Sequence, residues 1–151
     1  MLIEIFVILG VELKTFFLIN HPENDFEQTL GEGCILPDGQ CAIAWNNGKS
    51  HGCYPSFEAF KTIQDKQPTR KIAFDFLSRD GKNLNTFKLV RIDDVTGISG
   101  TGEVAVGCEF ISGIVVLQWK TEFASTFWYS SLATVEEFHG HGGKTVIQRD
   151  A

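Results

Sequence analysis

The feature that most constrains this chain is that it matches itself. Residues 13–49 fall opposite residues 87–123 without a gap, and one inserted residue then carries the match onward. Lys14 meets Lys88, Gly33-Cys34 meets Gly107-Cys108, Gly39 meets Gly113 and Trp45 meets Trp119. Beyond the insertion Tyr54 meets Tyr129 and Ser56 meets Ser131, while Phe57, Phe60 and Ile63 meet Leu132, Val135 and Phe138. Glycines, tryptophans and an apolar helix face kept in register imply an internal duplication, so whatever one copy folds into the other should repeat.

Each copy opens on a β-rich run, Leu13 to Ile19 or Phe87 to Ile92. A hairpin follows, with Gly33 to Leu36 and Cys41 to Trp45 flanking Pro37-Asp38-Gly39-Gln40, and Val104 to Phe110 and Val115 to Trp119 flanking Ile111-Ser112-Gly113-Ile114. Gly39 and Gly113 supply the positive φ that such turns need. A further short strand ends at Tyr54 or Tyr129, and Ser56 or Ser131 is placed to cap a helix. Phe57, Phe60 and Ile63, and likewise Leu132, Val135 and Phe138, form one apolar stripe per helix. Lys71 to Phe76 and Lys144 to Gln148 close the copies as final strands. The expected order is β-β-β-α-β, twice. One short helix is little cover for a sheet, so the two copies are expected to pack about a pseudo-twofold axis as one compact α+β unit. The expected organisation is an extension or edge strand over 1–12, copies over 13–77 and 87–151, and a linker over 78–86.

Length and composition agree with a small globular protein. The 151 residues are 43% hydrophobic and 21% charged, which excludes an intrinsically disordered chain. The net charge of −6 argues against non-specific coating of nucleic acid. Eight of the 13 basic residues nonetheless lie between Lys61 and Arg91, a local positive segment able to attract a phosphate or to serve as a solvated connection. Cys34, Cys41, Cys53 and Cys108 have no zinc-type spacing, so no metal is expected and the thiols are expected reduced. Glu4, Glu12 and Lys14 interrupt the apolar start, which fits neither a signal peptide nor a membrane span. A cytoplasmic protein without cofactors is expected.

The candidate chemistry lies in the second copy. The run Asp94-Val95-Thr96-Gly97-Ile98-Ser99-Gly100-Thr101-Gly102 has three glycines and three hydroxyl residues, able to turn backbone N–H groups toward an anion. Its counterpart Asn20 to Gln28 has none of those glycines. Trp45 and Trp119 end equivalent strands, where an indole caps a core or stacks on a ligand. His139-Gly140-His141-Gly142-Gly143-Lys144-Thr145 is not a P-loop, because Phe138 stands where the first glycine belongs and no helix can follow in the six residues left. The two histidines lack a third metal ligand, and the glycines suit a helix C-cap. Ser130, Ser131, His139, His141 and Asp93 include the residue types of a hydrolytic set without the spacing that demands one.

The run Gly100-Thr101-Gly102-x-Val104, then Gly107, Phe110, Gly113, Val115-Val116-Leu117 and Trp119, then Ser125 and Tyr129, ending His139-Gly140-His141-Gly142-Gly143-x-Thr145, resembles a family of small uncharacterised proteins of actinobacteria and their phages. The resemblance covers about residues 87–150 and implies a phage or bacterial cytoplasmic origin, with no activity to carry over. Ser112-Gly113 stands where members commonly have Asp-Gly, as Asp38-Gly39 does in the first copy.

The leading expectation is a binding module rather than an enzyme, with no catalytic residues. Asp94, Ser99, Gly100, Thr101, Gly102, Trp119, His139, His141 and Lys144 form its ligand face, and a small anionic ligand or a protein partner occupies it. A counter-defence protein that sequesters a nucleotide signal is the sharper form. The alternatives are a hydrolase or nucleotide-processing enzyme with His139 or His141 as base and Asp93 or Asp94 orienting it, and an interaction subunit pairing through a strand edge.

Overall fold

A computed structural model describes residues 13–23, 25–74, 84–93 and 101–150. The chain divides into two compact units, Met1–Lys82 and Asn83–Ala151. The first contains β1 (Lys14–Asn20), β2 (Gln28–Ile35), β3 (Cys41–Trp45), β4 (Ser50–Tyr54), α1 (Phe57–Gln64) and β5 (Arg70–Phe74). The second contains β6 (Asn85–Arg91), β7 (Gly102–Glu109), β8 (Val115–Trp119), β9 (Ser125–Tyr129), α2 (Leu132–His139), a 3-10 turn (His141–Gly143) and β10 (Thr145–Arg149). The fold is therefore mixed α+β. Four strands, not the expected three, precede each helix, because both hairpin arms and the short strand ending at Tyr54 or Tyr129 all join the ladder. The expected extension over 1–12 and most of the linker over 78–86 lie outside the described residues.

Each unit is one antiparallel five-stranded sheet, ordered β4-β3-β2-β1-β5 in the first and β10-β6-β7-β8-β9 in the second. Element for element these orders are the same. Local hydrogen bonds repeat as well. Leu36 N–H donates to Gln40 O at 2.8 Å and Phe110 N–H to Ile114 O at 2.9 Å, closing hairpins in which Gly39 and Gly113 have φ of 94° and 98°. Ser56 Oγ accepts from Ala59 N–H at 3.0 Å and Ser131 Oγ from Thr134 N–H at 3.1 Å, so each helix is capped as its sequence implies.

The gapless alignment of 13–49 with 87–123 fails at its first strand. Phe16 pairs with Gly33 in β1–β2, and Phe87 pairs with Gly107 in β6–β7. Phe16 therefore corresponds to Phe87, and Phe17, not Lys14, corresponds to Lys88. A bulge falls at the same place in both units, between Leu18 and Ile19 and between Leu89 and Val90. The missing three residues are in the connections: 92–101 between β6 and β7 is that much longer than 21–27 between β1 and β2. Packing sets this register. A Cβ on Gly33 would stand inside the Phe16 ring, and one on Gly107 would come within 2.5 Å of the Phe87 ring. Each phenylalanine lies flat across a strand that only glycine leaves low enough.

Each helix packs on its own sheet, so each unit has a core of its own. Phe16, Leu18, Ile35, Cys41 and Ile43 meet Phe57 and Phe60 of α1; Phe87, Leu89, Val104, Ala105, Val115 and Leu117 meet Val135 of α2. Trp45 and Trp119 pack against these clusters. The expected helix stripe ends differently, because Ile63 and Phe138 are 46% and 66% exposed while Gln64 is buried and His139 half-buried. From the first contact at Phe57 or Leu132 the helix returns to the sheet after seven residues, near two full turns, rather than after six.

Gly33→Ala is expected to lower unfolding stability by about 1–3 kcal/mol through overpacking against Phe16. Chemical denaturation of this variant, alone and combined with Phe16→Leu, checks it. The second change should then cost less in the Gly33→Ala background than alone, since both act on one contact.

Candidate functional site

His139 is the last residue of α2 and faces the sheet one turn beyond Val135. The run after it is built for a sharp descent. Gly140 N–H donates to Glu136 O at 2.7 Å, and a Cβ at Gly140 would come within 2.6 Å of that oxygen. His141, Gly142 and Gly143 all take positive φ, the conformation that glycine allows most cheaply. The chain then enters β10 with Thr145 N–H bonded to Gly140 O at 3.0 Å and Thr145 opposite Arg91 of β6. The expected glycine-rich C-cap thus also places the first residue of β10.

Four side chains converge at this corner. Trp119, at the end of β8, stands edge-on to the His139 ring with centroids 4.8 Å apart. Tyr129, at the end of β9, brings its hydroxyl 2.8 Å from His139 Nε2. Arg91, at the end of β6, is buried, with Nε 3.4 Å from Thr145 Oγ1. Burial, the charge of His141 and the charge of Arg91 together lower the His139 pKa, in that order of weight. Burial also raises that of Tyr129. At neutral pH the corner therefore holds a neutral imidazole, a neutral phenol and a guanidinium.

The same corner of the first unit is closed. Phe60 occupies the position of Val135, and the rings of Tyr54 and Trp45 pack on it at 5.2 and 6.3 Å. Gln64 occupies the position of His139, is buried, and accepts from Arg70 Nη1 at 2.6 Å. The arginine has changed strands between copies: Arg70 starts β5 where Thr145 starts β10, and Asn20 ends β1 where Arg91 ends β6. One copy bonds its arginine to an amide at the end of its helix. The other sets its arginine beside a histidine.

Of the residues expected to form the ligand face, Trp119 and His139 touch. Gly102 lies opposite Arg91 in the β6–β7 ladder, with φ of 89°, and exposed Thr101 precedes it. His141 is exposed beside the corner and acts on His139 through its charge. Lys144 is exposed, with Nζ 3.8 Å from Asp93 Oδ2. Asp94, Ser99 and Gly100 lie outside the described residues. Sequence reasoning missed Tyr129 and Arg91 as site residues. The first was visible as a matched strand end and as part of the run that carries the resemblance, and the second only as one of a basic run whose true counterpart needed the three-residue offset.

The hydrolytic set does not assemble among the described residues. Ser131 Oγ caps α2, Ser130 Oγ lies 3.2 Å from Thr134 Oγ1, and His139 bonds a phenol rather than a carboxylate. Cys34, Cys41 and Cys108 are buried free thiols, and burial with the neighbouring Cys34 and Cys53 pushes Cys41 up to about 12, far from thiolate chemistry. No group of three His, Cys, Asp or Glu among the described residues is placed to hold a metal, and none of their helices is long and apolar enough to cross a membrane.

Residues 84–151 match the family described as Acb5 phage protein. The match covers the second unit and supports a small phage-type protein, in keeping with the phage side of the resemblance seen in the sequence. No curated protein and no solved structure matches the chain.

His139 gives a signed pH prediction. Its folded pKa lies below the ordinary 6.5, so the unfolded chain binds the proton first as pH falls. Its contribution is fully present above about 6.5 and is lost as pH drops toward the folded value. Thermal unfolding across this range should show a shallower acid-side loss for His139→Gln, which copies Gln64, than for the wild type.

Proposed function

We propose that the chain is a phage-encoded binding module, without catalytic turnover, whose second unit holds a small anionic, nucleotide-like ligand at the Trp119–Tyr129–His139–Arg91 corner. The observation that carries this reading is the asymmetry between copies. At equivalent positions the first unit fills its corner with Phe60 and an internal Gln64–Arg70 hydrogen bond. The second has a smaller Val135 and places a neutral His139, bonded to Tyr129, within the field of the Arg91 guanidinium. An anion arriving at this corner would meet a cation and a ring N–H donor, and Trp119 offers an aromatic surface to a base. The phage-family match falls on this unit and supports a phage-encoded protein; sequestration of a nucleotide signal in counter-defence is the sharper form of this reading. Gly102, opposite Arg91, and the His141–Lys144 segment border the site in this reading.

A protein partner is the second reading. It is favoured by one observation, that Phe127 on edge strand β9 is 50% exposed. The hydrolase reading is not favoured, because His139 bonds a phenol rather than a carboxylate and lies in the field of a guanidinium.

The test is to purify the protein natively, denature it and identify the released small molecules by mass spectrometry, with Trp119→Ala, His139→Ala and His141→Ala alongside. A stoichiometric nucleotide or other anion, reduced at least several-fold in the Trp119 and His139 variants, is the expected result. A protein that is empty, and that binds no nucleotide by calorimetry, would instead transfer the case to the protein-partner reading.

A further inference from the structure

We infer that Tyr129 is a positioning residue of this corner: it donates its hydroxyl proton to His139 Nε2, fixes the ring proton on Nδ1, and thereby makes Nδ1–H the donor that His139 offers an anion. The inference rests on the reading that the corner takes an anion. The contact itself is 2.8 Å long and can be polarised in two ways. Tyrosine is the stronger acid of the two neutral groups and the imidazole nitrogen the stronger base, so the phenol donates.

The surroundings point the same way. Four groups from four segments bear on the His139 ring: Tyr129 from β9, Trp119 from β8, Arg91 from β6 and His141 from the 3-10 turn. Arg91 and Trp119 are donors only and have no atom to accept a ring proton. Burial first, then the charges of His141 and Arg91, lower the His139 pKa, so at neutral pH the ring carries one proton and not two. Among the described residues the Tyr129 hydroxyl is the ring's sole hydrogen-bonding partner. An Nδ1–H set this way makes no hydrogen bond among the described residues, and an anion supplies an acceptor beside a guanidinium.

The equivalent tyrosine shows that this is a property of the second copy. Tyr54 packs its ring on Phe60, and the residue in the place of His139, Gln64, bonds Arg70 instead. The duplication preserved the tyrosine, and the hydroxyl meets a histidine only in the copy that carries one at the helix end.

The experiment is long-range proton–nitrogen NMR of the His139 ring at neutral pH in the whole protein, with inorganic phosphate as the titrant, for wild type and Tyr129→Phe. Wild type is expected to show a protonated Nδ1 and a bare Nε2, with Nδ1 moving on phosphate addition. Tyr129→Phe, whose thermal unfolding confirms that it is folded, should shift the proton toward Nε2 and weaken phosphate by about two- to tenfold, one hydrogen bond's worth. A wild-type ring with its proton on Nε2 overturns the inference even if phosphate binds. Unchanged phosphate affinity in a folded Tyr129→Phe whose tautomer has shifted overturns it as well. A wild-type protein with Nδ1–H that takes up no phosphate overturns the anion reading, and with it the ligand role of Nδ1–H.

Discussion

In both units the contact on which the rest depends is a phenylalanine laid across a strand glycine, Phe16 over Gly33 and Phe87 over Gly107. A sheet slipped by one residue turns every side chain to the opposite face. The ring fits only where the neighbouring strand has no Cβ, so a slip by one residue, which sets it against Glu32 or Cys34 in the first unit, cannot close. The bulge a short way along the ladder follows in both copies, and Leu18 and Leu89 beside it enter the same core as the ring. The helices dock on what this contact leaves. Phe57 and Phe60 meet the Phe16 ring at 5.6 and 5.4 Å in the first unit, and the aliphatic Leu132 and Val135 take their places in the second.

Function enters where that shared frame is allowed to differ. The helix returns to the sheet at its eighth residue, and whatever stands there is set against the ends of three strands. A glutamine at that position makes a self-contained hydrogen bond with the arginine of the last strand. A histidine there meets a phenol on one strand and an indole on another, and feels the charge of a guanidinium on a third. The glycine-rich run after α2 belongs to the same device. It brings the chain round within a few residues, so that Thr145 can stand beside Arg91 while His141 stays close enough to act on His139.

Much of this was legible in the sequence. The two hairpins with Gly39 and Gly113, the serine caps and the final strands all follow from local chemistry, and the structure has each of them. The second copy's Trp119 and His139 were identifiable as candidates because they lie in the half of the chain that departs from its twin. Tyr129 was not, since a matched tyrosine in both copies gives no hint that its hydroxyl meets a histidine in one of them. Arg91 was hidden by an alignment that ran three residues out of step through the first strand. Lys14 opposite Lys88 looked like identity, whereas the geometric counterpart of Lys88 is Phe17.

By itself the sequence determined the kind of protein this is: an α+β chain with turns where glycine permits them, helices where serine caps them, and an acidic balance. Those properties depend on backbone freedom, capping and composition, which act over a few residues and are therefore written locally. The tertiary structure alone decided which strand residues correspond, which helix position faces the sheet, and that an arginine, a tyrosine and a histidine from separate strands and a helix share one corner. Strand pairing and helix docking join residues as far apart in sequence as Arg91 and Thr145, and they are chosen by whether a ring fits over a glycine, which no local pattern records.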